Sequence, residues 1–309
     1  MKRVIGLALA AGVVLLMGVL PLFAPSYLII LLLLTLMYTA LASSWNLISG
    51  YTGYVSFGHV AFFGLGAYAA AILITKQGMN WVAASIIAGL VAIVIALLVG
   101  SITLRLKGPY FAIAMLGLSE AFRVIAAAWE PLTRGGSGIY LPPVLSVVPV
   151  YYAIGLCTVA VVALTFWVSN SKFGLRLMAI REDEVAAEAL GINTTLYKLA
   201  AFAASAFFPG VLGGFYAWYL SYIAPDSVFD VGITIRMIIM VMFGGPGTVF
   251  GPVIGGISLT LLAETFWASF PEFHQALFGL LMVVIVLFLR GGVLGFLKDR
   301  GLLPKGRWY

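Results

Sequence analysis

Apolar residues in this chain come in runs of roughly twenty, set apart by short clusters of charge, glycine or proline. A run of that length is what an α-helix needs to cross about 30 Å of hydrocarbon at 1.5 Å per residue. Inside a bilayer no water is available to the backbone, so each N–H and C=O must be satisfied within the segment, and a helix does this. Such runs lie near Val4–Phe23, Tyr27–Ile48, Val55–Thr75, Trp81–Leu104, Pro109–Trp129, Val148–Val168, Leu199–Tyr222, Val231–Phe243, Val249–Phe266 and His274–Leu289. They predict an all-α polytopic membrane helix bundle of about ten spans with broken helices, a single transmembrane domain over residues 1–309. Composition removes the alternatives: 9% of residues are charged and 63% hydrophobic, against about 25% charged in a soluble domain. That excludes a soluble enzyme, a disordered chain and a nucleic-acid binder, although the net charge is +6.

The basic residues explain that charge. With residue 1 inside, thirteen of the seventeen Lys and Arg fall in inside segments; only Lys76 and Arg134 fall outside, and Arg123 and Arg236 lie within spans. Positive charge collects on the cytoplasmic side of membrane proteins, so both termini are expected in the cytoplasm. Lys2 and Arg3 precede a first run longer than a leader's 7–15 apolar residues and lacking an A-x-A site, which predicts a retained anchor.

Glycine and proline gather at two places. Gly50-Tyr51-Thr52-Gly53 leads into Ser56-Phe57-Gly58-His59, and Gly244-Gly245-Pro246-Gly247 runs on to Gly251-Pro252. Small residues let membrane helices pack closely, which is a sufficient reading for Gly64, Gly255 and Gly256. The second cluster splits a long apolar stretch into two short spans. Interrupted segments of that kind point to a transport site or a moving element. Gly53, Ser56, Gly58, His59, Gly244, Gly245, Pro246 and Gly247 are therefore candidates for a translocation path or gate, with an unwound segment expected at Gly244–Gly251.

Four charges fall inside spans: Glu120, Arg123, Arg236 and Glu264. Glu120 and Arg123, three residues apart near the middle of the fifth run, share a helix face and either pair or line a wet cavity. Arg236 has only Ile, Thr and Met in its own turn, so its partner is Glu264, a carbonyl, water or solute. His59 reads more readily as a hydrogen-bonded packing residue than as a ligand. Two histidines and the lone Cys157 make no metal centre, and no H-E-x-x-H or G-x-S-x-G motif is present.

Charge is dense in one stretch only, residues 169–198. There Glu182, Asp183 and Glu184 open a short Ala-rich helix, well placed for its dipole, and Gly191 closes it. Leu177, Ile180, Val185 and Leu190 supply apolar anchors. So short a helix is marginal alone and needs a surface to dock on.

The stretch Arg181–Asn193 resembles the coupling loop of ABC-importer permeases of the branched-chain amino acid family, LivM type. Asn46–Tyr68, Lys107-Gly108-Pro109-Tyr110-Phe111-Ala112-Ile113 and Gly244–Pro252 resemble the same family, so the likeness runs through most of the chain. The chain departs from the family at Arg290, where a proline is usual, and at Thr133-Arg134-Gly135-Gly136, where the family has Thr-Gly-Gly. The resemblance implies a permease subunit in the bacterial inner membrane, coupled through Arg181, Glu182, Asp183, Glu184, Glu188, Leu190 and Gly191 to separate ATPase subunits. It further implies two such ATPases holding ATP and Mg, a second, LivH-like permease subunit and a soluble substrate-binding protein. The chain has no G-x-x-x-x-G-K-[ST] phosphate cradle, so ATP hydrolysis is not expected of it. The expected cargo is leucine, isoleucine or valine. Urea, short amides or other amino acids are the alternative within the family, and a gradient-driven carrier is the alternative outside it.

Overall fold

The computed structural model describes residues 18, 20–22, 24–269, 279–280, 283 and 291–300. Its main elements are helices α1 (Ser26–Thr52), α2 (His59–Gln77), α3 (Trp81–Thr103), α4 (Pro109–Ala128), α5 (Glu130–Thr133), α6 (Val148–Asn170), α7 (Lys172–Glu182), α8 (Glu184–Ala189), α9 (Thr194–Leu220), α10 (Pro225–Val228), α11 (Val231–Gly244), α12 (Gly251–Ser269) and α13 (Gly292–Asp299). Among the described residues seven stretches are long and apolar enough to cross a membrane: α1, α2, α3, α4, α6, α9 and the pair α10–α11 taken together as Pro225–Gly244. The expected spans Val4–Phe23 and His274–Leu289 lie largely outside the described residues, as do the two chain ends.

Helix ends follow local chemistry. Asn80 accepts Val82 N–H at 2.9 Å to start α3, Asp230 accepts Gly232 N–H at 2.9 Å to start α11, and Asn193 accepts Leu196 N–H at 3.0 Å to start α9. Each cap satisfies an N–H that the first helical turn leaves without a partner.

The buried centre is α1, α2 and α9. Both helices α1 and α9 are well covered: Leu41, Trp45 and Ile48 on α1 and Phe202, Leu212 and Phe215 on α9 are buried. α3 lays a stripe of Ala84, Ala88, Ala92 and Ala96 against α9, one small residue per turn. The approach there is backbone to backbone: a side chain at Gly66 of α2 would meet Gly210 of α9, and one at Gly210 would meet Ala92. The opposite faces of α3, α4 and α6 carry Leu90, Leu98, Ile102, Ile113, Leu156 and Trp167, exposed on the isolated chain as lipid-facing residues are.

The structure adds features that run-length reading does not contain. The charged stretch is not one helix: α7 and α8 are separated at Asp183, whose carboxylate accepts Val185 N–H at 2.9 Å and Ala186 N–H at 3.0 Å. α9 begins at Thr194, so the end of the charged stretch belongs to a long helix and Lys198 is buried at 3% exposure. At the far end of the bundle a two-stranded antiparallel ribbon pairs β1 (Ile139–Tyr140) with β2 (Tyr222–Ile223), a small exception to an all-α fold. The two ends of the bundle are called below the α7–α8 end and the ribbon end.

From the ribbon the chain turns back into the bundle before α11 starts. Phe229 fills the space left by Gly64 and stacks on Tyr68, and Val60 N–H donates to Thr234 Oγ1 at 3.0 Å. A helix break thus lies at Phe229–Asp230, within the eighth expected span's approach, in addition to the Gly244–Gly251 connection between α11 and α12.

Candidate functional site

At the α7–α8 end, two distant parts of the sequence meet on one side chain. Asn46 of α1, fully buried, accepts Gly247 N–H on Oδ1 at 2.8 Å and donates from Nδ2 to the Thr248 carbonyl at 2.8 Å. Thr248 Oγ1 donates to the Gly245 carbonyl at 2.7 Å and accepts Gly251 N–H at 3.0 Å, which caps α12. The Gly244–Gly251 connection is therefore held by the Asn46 side chain of α1, and Gly245 also packs against Leu294 of α13.

Arg181 of α7 closes the same cluster. Its Nη1 donates to the Gly50 carbonyl at 2.6 Å, one of the last four carbonyls of α1 and thus without a helical partner. A cation at a helix C-terminus is also favoured by the dipole. Arg181 Cγ lies 3.3 Å from where a Gly53 side chain would start, and a side chain at Gly247 would run into Arg181 Nη1. Gly247 has φ +76°, a conformation open to glycine at no steric cost. The two glycine clusters and the charged segment are one contact.

A second tie lies one turn further along that segment. The Lys198 ammonium donates to Glu184 Oε1 at 2.6 Å, to the Tyr54 hydroxyl at 2.9 Å and to the Leu104 carbonyl just past α3 at 3.1 Å. It also sits 4.5 Å above the Tyr54 ring. Tyr54 in turn donates to Glu184 Oε2 at 2.6 Å, and Thr194 donates to Glu188 Oε1 at 2.6 Å. Burial pushes the Glu184 carboxyl up, but the bonds from Lys198 and Tyr54 and the charges of Lys198 and Lys107 outweigh it, holding it below its ordinary range.

What this leaves outward mixes apolar and acidic side chains. Val185 is 65% and Leu190 82% exposed, while Leu177 and Ile180 are buried under α7. Glu182 and Gly191 are exposed. Gly191, at φ +80°, donates to the Glu188 carbonyl at 2.9 Å while Ile192 N–H reaches Ala187 at 3.1 Å. Those two bonds are the Schellman end of a helix, which needs a left-handed residue at that position.

The remaining candidates sit apart from this cluster. His59 is fully buried, with Nδ1 2.9 Å from Ser56 Oγ and Nε2 3.1 Å from Ser205 Oγ. Ser205 Oγ donates its hydrogen to the Phe202 carbonyl at 2.8 Å, so Nε2 is the donor and Nδ1 accepts from Ser56. Trp45 Nε1 donates to the Ser56 carbonyl at 2.7 Å, and Gly58 lies against the Met115 carbonyl. Arg123 binds Glu120 with Nε at 2.9 Å and Nη2 at 2.5 Å, and its Nη1 reaches Asp226 of α10 at 2.5 Å. That second carboxylate belongs to the ribbon-end segment, so the pair is pulled toward that end from mid-span. Arg236 Nη1 donates to the Tyr38 hydroxyl of α1 at 2.9 Å; Glu264 accepts instead from Tyr27 at 2.5 Å. Among the described residues, no three His, Cys, Asp or Glu side chains converge as a metal site would require.

Run-length reading passed over Asn46, Tyr54, Thr194, Lys198 and Tyr38. Only Lys198 carried a signal, a lone lysine directly ahead of an apolar run.

The model of the family described as "Branched-chain amino acid transport system / permease component" matches residues 27–286. The chain belongs to that family. The permease is 27% identical over 305 residues to the high-affinity branched-chain amino acid transport system permease protein LivM of Salmonella typhimurium, covering 89% of this chain and 69% of the relative. It is 28% identical to LivM of Escherichia coli K12 over the same shares. It also matches LivH of Escherichia coli K12, at 25% over 289 residues, covering 84% of the permease and 91% of LivH. No solved structure matches it. Family and helices together make the permease a multi-pass membrane protein of branched-chain amino acid transport.

Proposed function

We propose that this permease is one of two membrane subunits of an ATP-driven importer for leucine, isoleucine and valine in the bacterial inner membrane. It has ten spans with both termini in the cytoplasm, so that the α7–α8 end faces the cytoplasm. Two ATPase subunits, holding ATP and Mg, work beneath it; a LivH-like permease stands beside it, and a soluble binding protein delivers solute at the ribbon end. Glu182, Val185, Leu190 and Gly191 form the surface that α8 offers to an ATPase. The observation that carries the reading is the bond from Arg181 to the end of α1, in the cluster that also holds the Gly244–Gly251 connection. A push on α8 reaches α7 across Asp183 and enters the bundle through Arg181, while Lys198 passes it to α9 and α3. The relatives named LivM and LivH support the cargo and the paired permeases.

The test is reconstitution of the permease with its partner permease and ATPases in proteoliposomes, with the binding protein added. Leucine uptake should require hydrolysable ATP. Uptake driven by a proton or sodium gradient without ATPases would overturn the mechanism, and ATP-dependent uptake of urea or acetamide but not leucine would overturn the cargo.

A further inference from the structure

Arg236 differs from every other span-embedded cation described above in having no carboxylate. Arg123 is met by Glu120 and Asp226, and Lys198 by Glu184. Among the described residues Arg236 makes no ion pair; its one hydrogen-bond partner is the Tyr38 hydroxyl, and its guanidinium lies 5.5 Å from the Tyr38 ring centre. A guanidinium has five N–H donors, so most remain to be used. Nor is it hidden: Arg236 is exposed on the isolated chain. Tyr38 stands 12 residues into the 27-residue α1, which places the site about 18 Å from one end of that helix and near mid-depth. An uncompensated arginine at that depth is costly to hold in hydrocarbon, and such residues mark solute and ion pathways.

The surroundings are phenolic. Tyr216 of α9 lies within electrostatic reach of Tyr38 and Arg236, and Tyr219 sits one turn on with its ring 6.3 Å away. Two helices, α1 and α9, thus bring Tyr38 and Tyr216 toward one planar cation on α11 whose fork of parallel N–H groups matches a carboxylate. The site supplies a fixed positive charge and hydroxyl donors, and it lacks the anion. A neutral amide or urea would leave the charge uncompensated.

We infer that Arg236, steadied by Tyr38 and with Tyr216 nearby, binds the carboxylate of the transported solute midway across the membrane. The inference rests on the reading of the chain as a solute permease and narrows the cargo to carboxylate-bearing molecules.

The assembled importer in nanodiscs of zwitterionic lipid is treated with phenylglyoxal, and modification of Arg236 is followed by peptide mapping with and without nucleotide. Leucine at ten times its dissociation constant leaves about one site in eleven free, so labelling should slow about tenfold, and leucinamide should give no protection. Four results overturn the site: equal protection by leucinamide; protection by anionic lipid but not by leucine, which assigns the cation to a headgroup; slow labelling in the assembly with fast labelling of the isolated chain whatever the solute, which assigns it to a subunit contact; and no labelling in any nucleotide state. Uptake through Arg236→Lys and Arg236→Gln gives the second readout. Leucine uptake reduced in Lys and abolished in Gln, with binding-protein-stimulated ATP hydrolysis retained, supports the site, and unchanged uptake in Gln overturns it. Failure of the wild-type importer to use ATP instead strikes the proposed mechanism and leaves the labelling result to judge the site.

Discussion

Replacing Lys198 by methionine should be among the most damaging single changes in the chain, although the volume hardly alters. The ammonium spends all three of its hydrogens on Glu184, Tyr54 and the Leu104 carbonyl, with the two charged side chains only 4% and 15% exposed. Removing one member of a buried pair strands the other, at about 3–5 kcal/mol, while removing both costs far less. Lys198→Met should therefore fall in that range and Lys198→Met with Glu184→Gln should recover about 2 kcal/mol of it, the size of coupling typical for residues in direct contact. Unfolding in mixed micelles by denaturing detergent, followed by tryptophan fluorescence, measures all corners of the cycle. The pH dependence supplies a sign. A carboxyl held low by folding stabilises at pH above its unfolded value, and that contribution is lost as pH falls through the lower folded value. Wild type should thus lose stability on acidification below about 4.5, the ordinary value for Glu184, and Lys198→Met should lose much of that dependence. A loss under about 1 kcal/mol for Lys198→Met, or single changes that simply add, would refute the argument.

Three further outcomes follow from the same geometry. Arg181→Gln leaves the Gly50 carbonyl without its charged donor; it should cost about 1–3 kcal/mol and lower ATP-coupled uptake more than ATP hydrolysis, and matched losses in both rates would contradict a linking role. Gly191→Val forces a β-branched residue into φ +80° where nothing crowds the side chain, so the protein should reach the membrane in normal amount while transport uncouples from hydrolysis; normal coupled turnover would sink the docking assignment. Arg123→Met strands Glu120 and Asp226 together, so it should reduce folded yield more than Glu120→Gln, and the double change should be milder than Arg123→Met alone; equal yields for all three would mean the charges act separately.

Span length and helix type were legible because the bilayer imposes them: Val148 and Trp81 start helices where the apolar runs start. The glycine clusters were legible as breaks, but their meeting was not. That contact depends on Asn46, whose amide gives no periodic signal and acquires meaning only when α11 returns beside α1. The acids of the charged stretch could be counted but not aimed. Glu184, read as an outward docking residue, spends its carboxylate on Lys198 and Tyr54, because α9 extends back to Thr194 and carries the lysine beneath it. The break at Phe229–Asp230 escaped notice since it contains no glycine; Phe229 sits there to fill the hollow at Gly64 on another helix.

α1 has a mechanical consequence. It contains no proline and its single glycine is near its end, so the stretch from Tyr38 to Asn46 has neither of those residues to bend it. Tyr38 holds Arg236 at one level, and Asn46 and Gly50 hold the Gly244–Gly251 connection and Arg181 about 12 to 18 Å further along. Such a segment works as a pushrod. On the proposed function, a displacement delivered at Gly50 reaches Tyr38 through an unbroken run of helical backbone.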